Sequence, residues 1–424
     1  MLKKAYEAFL NELRSYSLHE KLFLLFVMGC SFCITAEFSV TRPISNSVFI
    51  KHFSASFIPY AWLASMPLNL LIVSLYNRFL PALGCLKTAL SIVCLTIVIN
   101  VFGVFLLHSH KEFSFFHSVW KDTYILLMFQ QLWSVIHSTI PKHRAKYLYG
   151  MIYGIGGLGS VLGSCIPGFW AHKVGSENLL YFSLVIYGCF ALFYKLALDV
   201  RAILEKQSGL EPIHIKKDSV GGGFELIKNS KTLQFILLIV IFMQLSTTFV
   251  EFQFNMHLQK HLTDTDYRTE YLAKLFGLIH FFNIFLQFFG AYLLIKFLGL
   301  KRSHIFIPVI FMFNTLTFIF FPVFQFITLS FSTIKACDYS VFTILKEMLY
   351  LPLKTEEKFK AKAVIDVFAF RSSKALGSFA IIVMQWLNMT MINQVISWSL
   401  LVIFSLWIFL LAKQTSTLSQ EKVA

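Results

Sequence analysis

The sequence predicts an all-α integral membrane protein of twelve transmembrane helices in two six-helix halves. Three observations predict it: the composition, the length of the apolar runs, and the placement of charge between them. Of 424 residues, 57% are hydrophobic and 14% charged, against about 45–50% and about 25% in soluble domains. Surface grows too quickly with chain length for a soluble core to hide so much apolar side chain. The 48 Phe, 16 Tyr and 7 Trp exclude a disordered chain. A net charge of +15 would point to nucleic acid in a soluble protein. Here Lys and Arg fall mostly between apolar runs of about 20 residues, the length of a bilayer span, and no nucleic-acid partner is expected.

Apolar runs bounded by charge or turn residues place helices at 22–41, 57–77, 86–107, 122–140, 147–170 and 178–198. The second set is 233–256, 271–295, 303–322, 324–350, 363–386 and 392–412. Residues 1–198 are thus expected to form an N-terminal half and 233–424 a C-terminal half. Between them, 199–232 reads as a cytoplasmic linker, with Lys206, Lys216, Lys217, Lys228 and Lys231 around Gly221-Gly222-Gly223. The first run is too long for a secretory signal and lacks a small-residue cleavage site. Positive charge concentrates in alternate loops, at 141–146, 199–232, 296–302 and 351–362. The positive-inside rule then puts both termini in the cytoplasm, with a bacterial inner membrane as the expected bilayer. The seven cysteines show no zinc spacing, and Cys30 and Cys33 lie inside an apolar run.

A faint internal repeat relates the halves. Arg144-Ala145-Lys146 precedes the fifth run and Leu162-Gly163-Ser164 lies within it; Lys360-Ala361-Lys362 and Leu376-Gly377-Ser378 recur at the eleventh. Parallel six-helix repeats of this kind build secondary transporters of the major facilitator type, so the expected architecture is major-facilitator-like.

Charges inside the spans are the candidate functional residues. A Lys or Arg at a helix centre costs about 2.5–3.5 kcal/mol on the insertion scale, so it persists where it pairs, snorkels or meets a polar cavity. The eleventh span carries Asp366, Arg371 and Lys374, and the last two share one helix face at a spacing of three. The tenth carries Lys335 and Asp338, which either neutralise each other or line a cavity. The first holds Glu37 and ends at Arg42, the seventh holds Glu251, and the fourth contributes His137 and Ser138. Arg42 reads equally as an interfacial residue and Glu251 as a snorkelling one. Two like charges at 371 and 374 repel each other, and a cavity that accepts an anion resolves the repulsion.

The fifth run, Gly150 through Gly154, Gly156, Gly157, Gly159 and Gly163, is rich in glycine. It has no Lys-Ser/Thr and follows no strand, so it is not a phosphate-binding loop. Small residues at four-residue spacing instead let membrane helices pack closely. No nucleophile–base set or metal cluster is legible, so neither an enzyme nor a cofactor is expected.

From Asp338-Tyr339-Ser340 through Lys346-Glu347-Met348-Leu349-Tyr350-Leu351-Pro352-Leu353 and Glu356-Glu357-Lys358-Phe359-Lys360-Ala361-Lys362-Ala363, the chain resembles a known family. Ile365-Asp366-Val367, Arg371 and Lys374-Ala375-Leu376-Gly377-Ser378 continue the resemblance. The family is the nucleotide transport family, the ATP/ADP translocases of obligate intracellular bacteria and plastids with their wider bacterial relatives. Arg42-Pro43 through Phe49-Ile50-Lys51, Ile58-Pro59-Tyr60-Ala61 and Ala145-Lys146-Tyr147-Leu148-Tyr149-Gly150 are similar to its first half.

The resemblance implies an ATP/ADP-carrier-like antiporter, or a nucleotide importer coupled to protons, that moves a small anionic substrate through the lipid bilayer. It maps the family's helix-seven acid onto Glu251 and its helix-eleven Lys onto Lys374. The helix-one Lys falls on Ser45, beside Asn46, and the helix-four acid on His137 or Ser138. Two of the four charged positions therefore differ, which motivates an alternative: a member of the family that no longer transports and serves as a membrane scaffold or receptor.

Overall fold

A computed structural model describes residues 16–140, 142–208, 221–350, 364–387 and 391–420. Among the described residues the chain is helical, and a helix occupies each of the twelve expected intervals. We number them α1, Leu18–Phe53; α2, 58–83; α3, 85–109; α4, Lys111–Thr139; α5, Lys142–Val174; and α6, Phe182–Ser208. A short helix, Gly221–Asn229, follows in the region expected to be the linker. Then come α7, Lys231–His261; α8, Thr265–Phe285, continued by a π-helical stretch Leu286–Gly290 and on to 298; and α9, 300–320. In α10 a second π-helical stretch, Asp338–Phe342, joins Phe324–Cys337 to Thr343–Tyr350; α11 runs as Val364–Ala369 and Phe370–Trp386, and α12 is Ile392–Gln420. Seven stretches among the described residues are long and apolar enough to cross a membrane by length and composition alone.

α2 and α3 are continuous except at Gly84 (φ 75°, ψ 168°), and α8 and α9 except at Gly299 (φ 76°, ψ 161°). Both angles lie where only glycine sits without strain. The flanking sequences, Leu83-Gly84-Cys85-Leu86-Lys87 and Leu298-Gly299-Leu300-Lys301, match as well. Equivalent glycine kinks six helices apart extend the internal repeat. Its other mark has a packing cause: a Cβ on Gly163 of α5 would enter the backbone of Ala36 on α1. On α11, a Cβ on Gly377 would crowd Thr248 of α7 at 3.2 Å. The repeated Leu-Gly-Ser thus marks, in each half, the crossing of its fifth helix on its first.

The contacts divide the chain into two compact units. One holds 1–49, 68–216 and 265–280; the other 50–67, 217–264 and 281–424. The first unit has an apolar core from α1, α2, α3, α4, α5 and α6, including Phe23, Val27, Ile34, Tyr124, Met128, Ile152, Phe190 and Tyr194. In this core α1 is stitched to α5: Ser31 Oγ donates to the Ile152 carbonyl at 3.2 Å and Thr35 Oγ1 to the Gly156 carbonyl at 2.6 Å. Cys30 and Cys33 are buried free thiols. The second unit packs α7 against α10 and α11, and α9 against α12. Phe254 of α7 stacks on Phe331 of α10 with centroids 4.1 Å apart, and Phe342 meets Trp407 edge-on. Large apolar side chains such as Phe297, Phe320 and Trp386 are exposed, an arrangement suited to lipid rather than water.

Several helices run past their expected ends, α6 to Ser208 and α12 to Gln420 among them, and two of the shifts fall at a charged residue. α1 continues to Phe53 instead of ending at Arg42, and α4 begins at Lys111 instead of 122. In both cases a charge suggested an end, yet that side chain has partners inside the fold, so the helix runs on.

Candidate functional site

The polar side chains form two buried groups, one in each unit. In the second unit, Lys335 Nζ of α10 donates to Glu251 Oε2 of α7 at 2.8 Å, with side chains only 6% and 7% exposed. Lys335 also lies 5.8 Å from the Phe331 ring and 6.0 Å from that of Tyr339. Lys335 thus bonds to another helix, and it also faces Asp338 on its own. Asp338 is buried and its Oδ1 accepts from Gln244 Nε2 at 3.5 Å. Glu251 does not snorkel. It sits within a buried run of α7 from Ser246 to Asn255.

α11 brings its cations to the same unit. Lys374 is half-buried and its ammonium stands 4.7 Å from the centroid of Trp62, in the first turns of α2. That placement suits a cation–π contact. Arg371, one turn earlier, is also half-buried. The backbone of Asp366 lies in the π-helical start of α11; its side chain lies outside the described residues, as do 351–363 of the resemblance.

In the first unit, Glu37 of α1 is fully buried. Its Oε1 accepts from Thr41 Oγ1 at 2.6 Å, Asn100 Nδ2 at 3.0 Å and Ser183 Oγ at 3.0 Å; its Oε2 accepts from Tyr124 at 2.8 Å. His117 of α4 connects this group to residue 45: its Nε2 lies 3.1 Å from Asn100 Oδ1 and its Nδ1 3.1 Å from Ser45 Oγ. Arg42 packs its guanidinium 4.1 Å from the Phe276 ring. It is half-buried inside α1 rather than at the helix end. His137 stands apart from this network, exposed and tilted against the rings of Trp133 at 5.4 Å and Tyr149 at 5.6 Å.

The comparisons with known proteins fit this arrangement. Residues 328–417, from α10 to α12, match the family model described as TLC ATP/ADP transporter. The D-xylose-proton symporter superposes with a TM-score of 0.64 at 14% identity, covering 93% of this chain and 97% of that one. A bacterial homologue of the iron transporter ferroportin, in an inward-facing state, gives 0.63 at 14%, covering 93% and 100%. The E. coli xylose transporter, partially occluded and inward open, gives 0.60 at 14%, covering 94% and 98%. The chain is a multi-pass helical protein with the fold of these membrane transporters. Its last three helices carry the match to the TLC family model. No curated protein matches its sequence, and likeness at 14% identity speaks for the fold alone.

The sequence pointed to Glu251, Lys335 and Asp338, which the fold gathers at α7 and α10. It missed Asn100, His117 and Ser183. None is charged by default, and their shared partner Glu37 lies 63 to 146 residues away for the two that touch it. Among the described residues no group of three or more His, Cys, Asp or Glu side chains is placed to hold a metal ion.

Proposed function

We propose that the protein is a secondary transporter of a nucleotide or a related anionic metabolite, working by alternating access. The observation that supports this most is the α11 pair. Arg371 and Lys374 lie one turn apart in the segment matched to ATP/ADP transporters, and Lys374 is steadied over Trp62. Phosphate oxygens would satisfy both cations, Arg as a planar fork and Lys as a compact point charge. Lys335 supplies a further cation whose partner can change. An incoming phosphate competes with Glu251 for it, and the released carboxylate takes up a proton or a new partner, coupling the cycle to exchange or to protons. Residues 1–198 and 233–424 act as the two moving halves, joined by the 199–232 linker, with both termini in the cytoplasm and the bacterial inner membrane as the host bilayer.

The test is uptake of labelled nucleotides by bacteria expressing the protein. The expected result is saturable uptake that unlabelled nucleotides compete away. If a well-folded, membrane-inserted preparation neither binds nor moves any nucleotide or phosphate ester, the reading falls. Ser45, where the family carries Lys, then favours the scaffold or receptor.

A further inference from the structure

Each half of the chain buries one acid on its first helix, and the two are treated differently. Glu251 meets the ammonium of Lys335. Glu37 meets neutral donors: two aliphatic hydroxyls, an amide and a phenol. Among the described residues it forms no ion pair. A carboxylate in such a place is held by hydrogen bonds to its charged form alone. Hydroxyls can turn from donor to acceptor, as an ammonium cannot.

A second feature of the cage concerns Tyr187 of α6. Its hydroxyl is fully buried and faces the Glu37 carboxylate. A hydroxyl that donates to a carboxylate can accept from the carboxylic acid. A protonated Glu37 needs an acceptor for its new O–H, and the hydroxyls of Thr41, Ser183 and Tyr187 can each turn to supply one. The cage therefore holds ready-made partners for both the carboxylate and the carboxylic acid.

The network also has a direction. Asn100 Nδ2 can only donate, and it donates to Glu37 Oε1 and to Ser183. Asn100 Oδ1 therefore faces His117 Nε2 as an acceptor, which places the imidazole proton on Nε2 and leaves Nδ1 to accept from Ser45. The hydrogens of Ser45, His117 and Asn100 all point toward Glu37. Protonating the acid removes the charge that orients them.

We infer that Glu37 is a reversible proton-binding site, and that Asn100 and His117 link its charge state to Ser45. Binding takes one proton from water onto a carboxylate oxygen, with no other bond made or broken. The titratable groups facing it are Tyr124 on α4 and Tyr187 on α6, with Cys33 and Asp122 beyond them as neighbours of those tyrosines, and His117 with its neighbour Lys121. From α3 the facing side chain is Asn100, which bonds His117 in turn. That the proton serves transport rests on the function proposed above; that it binds does not.

Infrared difference spectroscopy of the full-length protein in lipid, between alkaline and acid pH, reads the carbonyl stretch of a buried carboxylic acid directly. The expected result is a pH-dependent band that Glu37→Gln abolishes and Glu251→Gln leaves in place. Two further variants keep the acid and serve if Glu37→Gln does not fold. Tyr124→Phe removes a donor from the carboxylate and should move the band's midpoint up by about one to two pH units. Tyr187→Phe removes a second phenol facing the carboxylate and should move it up as well. A wild-type protein without the band, a band that survives Glu37→Gln, or a downward shift in either tyrosine variant would overturn the inference. Absent nucleotide uptake with the band intact would instead count against the transport reading alone.

Discussion

Lys335 and Glu251 form a buried ion pair between α10 and α7, 2.8 Å apart and 84 residues distant in sequence. Removing one partner of such a pair strands a charge, which costs about 3–5 kcal/mol, whereas replacing both with apolar groups is often neutral. Lys335→Met and Glu251→Leu should each lower thermal stability markedly, and the double variant should recover most of the loss. Melting curves in detergent separate this from independent roles, in which the two losses would add. If the pair also switches partners during transport, the recovered double variant remains inactive.

The α1–α5 crossing makes a prediction with an internal control. Gly163 meets the backbone of Ala36, which cannot rotate away, while nothing lies within 4 Å of a Cβ at Gly150 on the same helix. Gly163→Ala should destabilise the protein by at least about 1–3 kcal/mol through overpacking. Gly150→Ala should be neutral or stabilising by up to about 1 kcal/mol, since alanine is the better helix former. Equal effects at the two positions would mean that glycine content, and not close approach, is what matters in α5.

These contrasts show where the sequence was readable. Apolar run length and loop charge were enough to place a helix in each of the twelve intervals, because lipid leaves a spanning backbone few alternatives to helix. Charge was a poor guide to helix ends. Arg42 lies inside α1 against Phe276, and Lys121 lies inside α4 with its ammonium bonded to the Ser118 carbonyl and to Asp122. Spacing along one helix suggested Lys335 with Asp338, and it could not show the further partner, Glu251, on another helix. The Glu37 cage was invisible for the same reason: Thr41 is one turn away, but Asn100, Tyr124 and Ser183 come from three other helices. A period along one helix reports which face is buried, not which residues of other helices will meet there.

Orientation gives a prediction independent of any substrate. The 199–232 segment carries one of the largest groups of Lys and Arg between helices, and such segments stay on the cytoplasmic side. A reporter fused within 199–232 should be active as a cytoplasmic protein, and one fused at the α1–α2 junction near Ser54 as a periplasmic one. A periplasmic signal from the linker fusion would reverse the assignment of both termini.

The last prediction concerns Lys374. Its cation–π contact with Trp62 is worth about 0.5–2 kcal/mol depending on how dry the site is. Lys374→Ala therefore should lower stability by no more than about 2 kcal/mol, while abolishing nucleotide binding if the ammonium is a phosphate contact. Trp62→Leu leaves the charge but removes the surface that holds it. That change should weaken binding by a smaller factor than loss of the ammonium. Were Lys374 instead a structural partner of Asp366, its loss would strand a carboxylate and destabilise by about 3–5 kcal/mol, and Asp366→Asn in the same chain would restore stability. Melting temperature and equilibrium binding of a labelled nucleotide, measured on the single and double variants, distinguish the two roles. Full binding by Lys374→Ala would remove this residue from the substrate site.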